Sequence, residues 1–522
     1  MGNSKAIQAI VIVACGLIVS LWVTLSVITD DQNALAQLAG YMAVGSFVIG
    51  LLFGGRAILL LLLLIAYGDL VKRGLVLFGS LSYVDIGKVL VSGPLTLAGI
   101  CVNLLWGAIS GRIQMSKLHW HIFTGCVVVA LGSAAYSMFY YDSVILGLKN
   151  VVLGSAYMML PWVMVMIIKT PDQILRFMKT FLIVFFPVAL YGINQGFFGM
   201  SDFEIEYLKS GYTLEARQLK NDVMRIPSTM NAARSLSVTM ALCIMIFISM
   251  RVCKARSWLG MLHPLTLLIV PTFGLAMIFS LTRIGWAAAL VFPVLAVAFA
   301  GKKRTIGIYG VGVLLLSLLV AYSEAILEKW EVINKVASEF VGADTAFGQQ
   351  ATSLSTLSAR LVGWRNLTKD SSLWSAFGVD EATLDNVGDT NLETGLHIDN
   401  MSGGMTHDAL TQLIVKYGLV PFSVIGIGAL VMLFWFHSLP FQFRDPNDRR
   451  LSVMILGCIV AIAMSGLSSG MHVPINALLF FFVGMGLSMA VRAKELKTAP
   501  VASAPNPDEL VGEIPRVSVP AD

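Results

Sequence analysis

The chain has 522 residues, of which 57% are hydrophobic and 13% charged, with a net charge of +5 and a mean hydropathy of +0.79. A soluble domain carries roughly a quarter charged residues, so one soluble core cannot hide this much apolar surface and a lipid bilayer is the expected solvent. The small positive balance argues against a nucleic-acid partner. Six cysteines show no CxxC or zinc-type spacing, and they read as small hydrophobes without a disulfide framework.

The first apolar run, 6–28, follows Lys5 and is too long for a cleavable signal core, so it reads as a retained span. Further runs of spanning length fall near 35–53, 56–70, 88–110, 119–140, 144–168, 174–197, 229–250, 262–281, 284–300, 305–323, 409–436, 451–468 and 472–491. The fold expected is therefore an all-α polytopic membrane protein of about 12–14 helices. The stretch from Leu75 to Tyr83 reads as a re-entrant or interfacial piece. Basic connections recur at 112–117, 169–179, 251–256, 302–304, 444–450 and 492–497. All fall on one side if the spans alternate, and the excess of Lys and Arg makes that side cytoplasmic, with both termini inside. The chain thus divides into N-terminal spans (1–197), a first outer loop (198–228), spans (229–323), a large outer loop (324–408), C-terminal spans (409–491) and a Pro- and Ala-rich tail (492–522) that reads as disordered.

The large loop holds 12 acidic and 5 basic residues between Glu324 and Thr406. An insertion of that length between spans is usually functional. Its Asp385–Glu393 stretch spaces oxygen ligands but lacks the full EF-hand pattern, so a solvated acidic loop is the favoured reading. Cations on the outer side oppose the preferred topology, and an anionic ligand at that face would explain their retention, because guanidinium groups grip phosphate bidentately. Lys72, Arg73, Lys88 and Lys149 read as snorkelling residues or headgroup contacts. Arg217 and Lys220 read as surface partners of Glu204, Glu206, Glu215 and Asp222. Arg225, Arg283 and Arg365 lack a carboxylate neighbour in sequence and stand out as ligand candidates. His407 lies at the mouth of a late span, where an imidazole can act as a general base. His397 competes with it, and Asp399 or Asp380 could orient it.

Five segments then resemble one family. Arg225-Ile-Pro-Ser-Thr-Met-Asn231 precedes a span, and Thr282-Arg283-Ile-Gly-Trp opens another. Ser358-Ala-Arg360-Leu-Val-Gly-Trp364-Arg365 and Trp374-Ser-Ala-Phe-Gly378 lie in the large loop, and Thr406-His407-Asp408, continuing to Gly418-Leu419, closes it. In order and spacing they resemble the O-antigen ligase and Wzy-type polysaccharide polymerase superfamily, with Asp408 where that family usually has Asn. The resemblance covers roughly residues 225 to 430.

It implies a membrane glycosyltransferase of GT-C type in the bacterial inner membrane, facing the periplasm and using an undecaprenyl-diphosphate-linked glycan. His407 would activate the acceptor hydroxyl. Arg225, Arg283 and Arg365 or Arg360 would hold the diphosphate, with no metal or other cofactor. A flippase and chain-length or export proteins would be its partners in exopolysaccharide or O-antigen synthesis. Polymerisation of repeat units is the leading expectation, and a ligase transferring finished glycan to lipid A core or another acceptor is its sibling. A transporter or flippase of lipid-linked glycan is the alternative from another class. It would bury charges along a mid-span cavity, whereas the cations here crowd one rim.

Overall fold

The computed structural model describes residues 32–79, 83–140, 151–152, 154–209, 226–254, 264–280, 282–299, 375–376, 414, 418–468 and 473–498. These are helical, with connecting turns and no strand among them. Thirteen helices of eight residues or more lie among the described residues. They are α1 (Gln32–Phe53), α2 (Ile58–Gly79), α3 (Tyr83–Ile109), α4 (Lys117–Tyr140), α5 (Leu160–Ile167), α6 (Pro171–Phe198), α7 (Asp202–Lys209), α8 (Ala233–Lys254), α9 (Pro264–Phe279), α10 (Arg283–Ala298), α11 (Leu419–Ser438), α12 (Pro446–Ser468) and α13 (Val473–Thr498). Among the described residues, eight segments are long and apolar enough to cross a membrane, and three shorter apolar helices accompany them. The chain is an all-α, multi-pass membrane protein.

One of the eight segments, Gln37–Val76, runs for 40 residues. The 3-10 turn Gly54–Ala57 breaks it, with Gly54 at φ 52°. The register against α3 gives the direction of each half. Gly50 faces Gly99, and four residues on Gly54 faces Asn103, so α1 and α3 run parallel. Leu61 of α2 lies beside Gly93, so α2 returns the other way. A Cβ on Gly99 would stand 2.2 Å from the Phe47 carbonyl oxygen. Small residues allow such backbone approach where no hydrophobic effect drives helices together in lipid.

The alternation continues through the chain. Basic residues gather at one end, where the connections carry Arg112, Lys117, Lys169, Arg251, Arg444 and Arg449. That end is stitched by Arg449 donating to the Phe299 carbonyl at 2.6 Å, by Arg492 and Asp448 at 3.2 Å, and by Ser488 donating to the Ile168 carbonyl. α6 starts there on a capping box. Gln173 N–H donates to Thr170 Oγ1, Thr170 N–H donates back to Gln173 Oε1, and Pro171 takes a first-turn position where no donor is lost.

α8 forms the middle of the bundle, touching α6, α9, α10 and α12. Its core-facing residues Leu236, Met240, Ala241, Leu242, Cys243 and Ile246 are fully buried. α12 packs on α10 and α13, and α13 packs on α5. α4 and α11 are the most peripheral of the candidate spans. The span expected at 305–323 lies outside the described residues.

Two expected spans show local detail. In the run expected at 409–436, α11 begins at Leu419 after Gly418, which sits at φ 85°, outside helical geometry, and most of 409–417 lies outside the described residues. In the run expected at 144–168, the segment from Ser155 is a 3-10 turn followed by short α5, which begins where Pro161 cannot donate to a preceding turn. The Leu75–Tyr83 stretch is not a separate re-entrant piece in its described parts, since α2 carries it to Gly79 and α4's predecessor α3 resumes at Tyr83.

Candidate functional site

At the end opposite the basic connections, three of the segments singled out in the sequence meet the bundle. The first is Ile226–Asn231, the described part of the Arg225–Asn231 segment. It is held from three sides. Thr229 Oγ1 donates to the Ala66 carbonyl on α2 at 2.6 Å, and Ser228 Oγ donates to the Val188 carbonyl on α6 at 2.6 Å. Ser228 N–H donates to Gln195 Oε1 at 2.9 Å. Ser228 sits at φ 56°, a left-handed conformation for a residue with a Cβ. Such strain costs about 1–3 kcal/mol and persists only when the surroundings overdetermine it.

Arg73 supplies much of that surrounding. Asp69, Lys72 and Arg73 lie at i, i+3 and i+4 on α2, so they share one face. Only 2% of Arg73 is exposed. Its Nε donates to Asp69 Oδ2 at 2.9 Å, and an Nη lies 2.8 Å from the same oxygen. The other Nη donates to Glu204 Oε1 at 3.0 Å and to the Ser228 carbonyl at 2.7 Å, while the first also donates to the Met230 carbonyl. The planar fork is used on every side, which a lysine could not reproduce.

Glu204 is also enclosed. Its Oε1 accepts from Gln195 Nε2 at 2.7 Å. Its Oε2 accepts from the hydroxyl and N–H of Ser201 at 2.9 and 3.2 Å, which caps α7. Gln195 thereby bridges Glu204 to Ser228. Lys72 pairs with Asp69 at 2.5 Å and lies over the Tyr207 ring at 5.3 Å. Burial raises the Tyr207 phenol pKa, and the Lys72 ammonium opposes that shift.

Arg73 therefore corrects the expectation that it snorkels to headgroups: a buried guanidinium with this many acceptors cannot also reach the interface. Glu204 likewise is not a surface partner of Arg217 or Lys220 in character, being 1% exposed and paired with Arg73. Lys72, too, is held by Asp69.

The second segment is Thr282–Gly285. Arg283 opens α10 at this same end. Ser237, in the first turn and a half of α8, donates to the Thr282 carbonyl at 3.1 Å. Gly285 lies so close to α8 that a Cβ would sit 2.0 Å from Ser237 Oγ and 2.9 Å from the Ser237 carbonyl oxygen. The glycine of the Thr-Arg-Ile-Gly string thus lets the head of α10 seat closely against α8 at Ser237. The third is the start of α11. Its first two N–H groups have no intrahelical acceptor. Leu419 donates to the Ser375 carbonyl at 2.9 Å and Val420 to the Ala376 carbonyl at 3.0 Å. Ser375-Ala376, the described part of the Trp374–Gly378 segment, and the start of α11 are joined by those two bonds.

Of the sequence-predicted site residues, Arg283 is located by its backbone at the head of α10. Arg225, Arg360, Arg365 and His407 lie outside the described residues. Sequence reasoning passed over Gln195 and misassigned Arg73 and Glu204. The signals were present: Ser201-Asp-Phe-Glu204 has capping-box spacing, and Asp69, Lys72 and Arg73 have one-face helical spacing.

Comparison with models of protein families finds no match. Comparison with curated proteins finds no significant match either.

Proposed function

We propose that this protein is an inner-membrane glycosyltransferase that polymerises undecaprenyl-diphosphate-linked repeat units at the periplasmic face. One observation supports this above the others. The described parts of four segments on which the family resemblance rests, Ile226–Asn231, Thr282–Gly285, Ser375-Ala376 and Gly418-Leu419, lie at the bundle end opposite the basic connections. By the positive-inside rule that end is the translocated one. A second observation weighs against transport. Among the described residues the buried charged side chains are Arg73, Glu204 and Asp448, which lie near helix ends and not along a mid-span path.

In the proposed reaction the acceptor hydroxyl attacks the anomeric carbon of the lipid-linked glycan. The bond from that carbon to the diphosphate oxygen breaks, and the leaving lipid diphosphate keeps the electron pair. His407 takes the hydroxyl proton. Arg225, Arg283 and either Arg360 or Arg365 stabilise the charge that builds on the diphosphate. Attack opposite the leaving group inverts the anomeric centre. The test is complementation of a deletion strain with His407→Ala at normal membrane level. Polymer should be lost, and wild-type polymer from that variant would remove His407 from the mechanism.

A further inference from the structure

The Arg73–Glu204 pair is costly to bury. Removing both ions from water is repaid only when the geometry and the remaining hydrogen bonds are good. Here much of the pair's hydrogen bonding reaches the Ser228 turn. Arg73 donates to Asp69, to Glu204 and to the carbonyls of Ser228 and Met230. Glu204 orients Gln195, which takes the Ser228 N–H. The ion pair therefore joins α2, α6 and α7 to a strained turn that none of those helices contains. That turn leads directly into α8, and Asn231 accepts from Ser235 in the first turn of α8 at 2.8 Å. Two residues further, Ser237 carries the Thr282 carbonyl and with it the head of α10.

We propose that Arg73 and Glu204 are positioning residues: through the Ser228 turn they set the heads of α8 and α10 for the anion site at this rim. What is positioned rests on the reading under Proposed function; the clamp itself does not. A hydrophobic pair of equal volume would hold the helices together as well or better. An ion pair with directional bonds to two carbonyls instead fixes one backbone conformation, including the unfavourable φ of Ser228.

The experiment uses the full-length protein in nanodiscs, as wild type, Arg73→Lys and Glu204→Gln. Arg73→Lys keeps the charge and loses the fork; Glu204→Gln keeps the shape and loses the charge. Hydrogen exchange is followed on peptides spanning 226–232, where the Ser228 and Met230 amides are bonded to Gln195 and Pro227. In parallel, turnover of undecaprenyl-diphosphate-linked repeat units is measured against substrate concentration. Exchange at 226–232 should rise on the order of tenfold, about the loss of one hydrogen bond, while peptides of α12 and α13 stay protected. Turnover number should fall on the order of 100-fold, the effect of a misplacement near 1 Å, with KM moving much less. Unchanged exchange at 226–232 in both variants overturns the clamp. Raised exchange with unchanged turnover overturns the positioning role. If Arg283→Ala turns over like wild type while the exchange result stands, the clamp survives and the proposed anion site does not.

Discussion

Gly285→Ala is a one-carbon probe of how α10 is seated. The added methyl would stand 2.0 Å from Ser237 Oγ, 2.9 Å from the Ser237 carbonyl oxygen and 3.0 Å from its Cβ. Rotating the Ser237 side chain relieves the first contact only. The carbonyl is backbone of α8, the most enclosed of the candidate spans among the described residues, and ordinary contact begins at 3.4 Å. The head of α10 must therefore retreat by about 0.5 Å, the difference between 3.4 and 2.9 Å. Overpacking of this kind costs about 1–3 kcal/mol. Loss of the Ser237–Thr282 bond adds about 1 kcal/mol, and the better helix propensity of alanine returns a similar amount. The net expectation is destabilisation by about 1–3 kcal/mol. Thermal denaturation in detergent, read by size-exclusion chromatography, measures it. Ser237→Gly in the same chain removes the Oγ and Cβ contacts and should recover part of the loss, leaving the carbonyl contact in place. A Gly285→Ala midpoint equal to wild type, or a double variant no better than the single, would refute the close seating of α10 on α8.

Further expectations follow from the same contacts. Gly99→Ala brings a methyl to 2.2 Å from the Phe47 carbonyl and 2.7 Å from the Leu51 nitrogen. Both are backbone, so the cost should exceed that of Gly285→Ala, at about 3 kcal/mol, as a lower midpoint in the same assay. Thr170→Ala removes the capping box at the basic end and should cost about 1 kcal/mol with the rate of glycan transfer unchanged; a slowed rate would contradict the assignment of function to the opposite rim. Arg283→Lys keeps the charge but loses the bidentate grip. Transfer should fall on the order of 100-fold at unchanged midpoint, and near-normal transfer would make Arg283 an anchor only.

The fold was readable because lipid imposes a simple rule: every spanning backbone must satisfy its own hydrogen bonds, so long apolar runs become helices. The run from 35 to 70 divided correctly at Gly54-Gly55-Arg56, since the turn is written in glycines. The break at Gly418 within the late run expected at 409–436 was not legible, because hydropathy does not register a backbone angle. At the rim, the heads of α8 and α10 were legible from Arg225–Asn231 and Thr282–Gly285 as strings. Their mutual distance was not, because it depends on Ser237 meeting Gly285 across two helices. Arg73 was misread for a related reason. A cation near a span end has the same sequence signature whether it snorkels or is buried, and its carboxylate partner Glu204 is 131 positions away.

The central claim is that this rim polymerises lipid-linked repeat units, and the lipid-linked glycans of a deletion strain test it most directly. Extraction and mass analysis should find single repeat units accumulated on undecaprenyl diphosphate with polymer absent, and the wild-type gene should clear the accumulated units and restore polymer. Complete polymer left on the lipid carrier would replace polymerisation by ligation. Lipid-linked glycans and polymer identical to those of the parent strain would contradict the account.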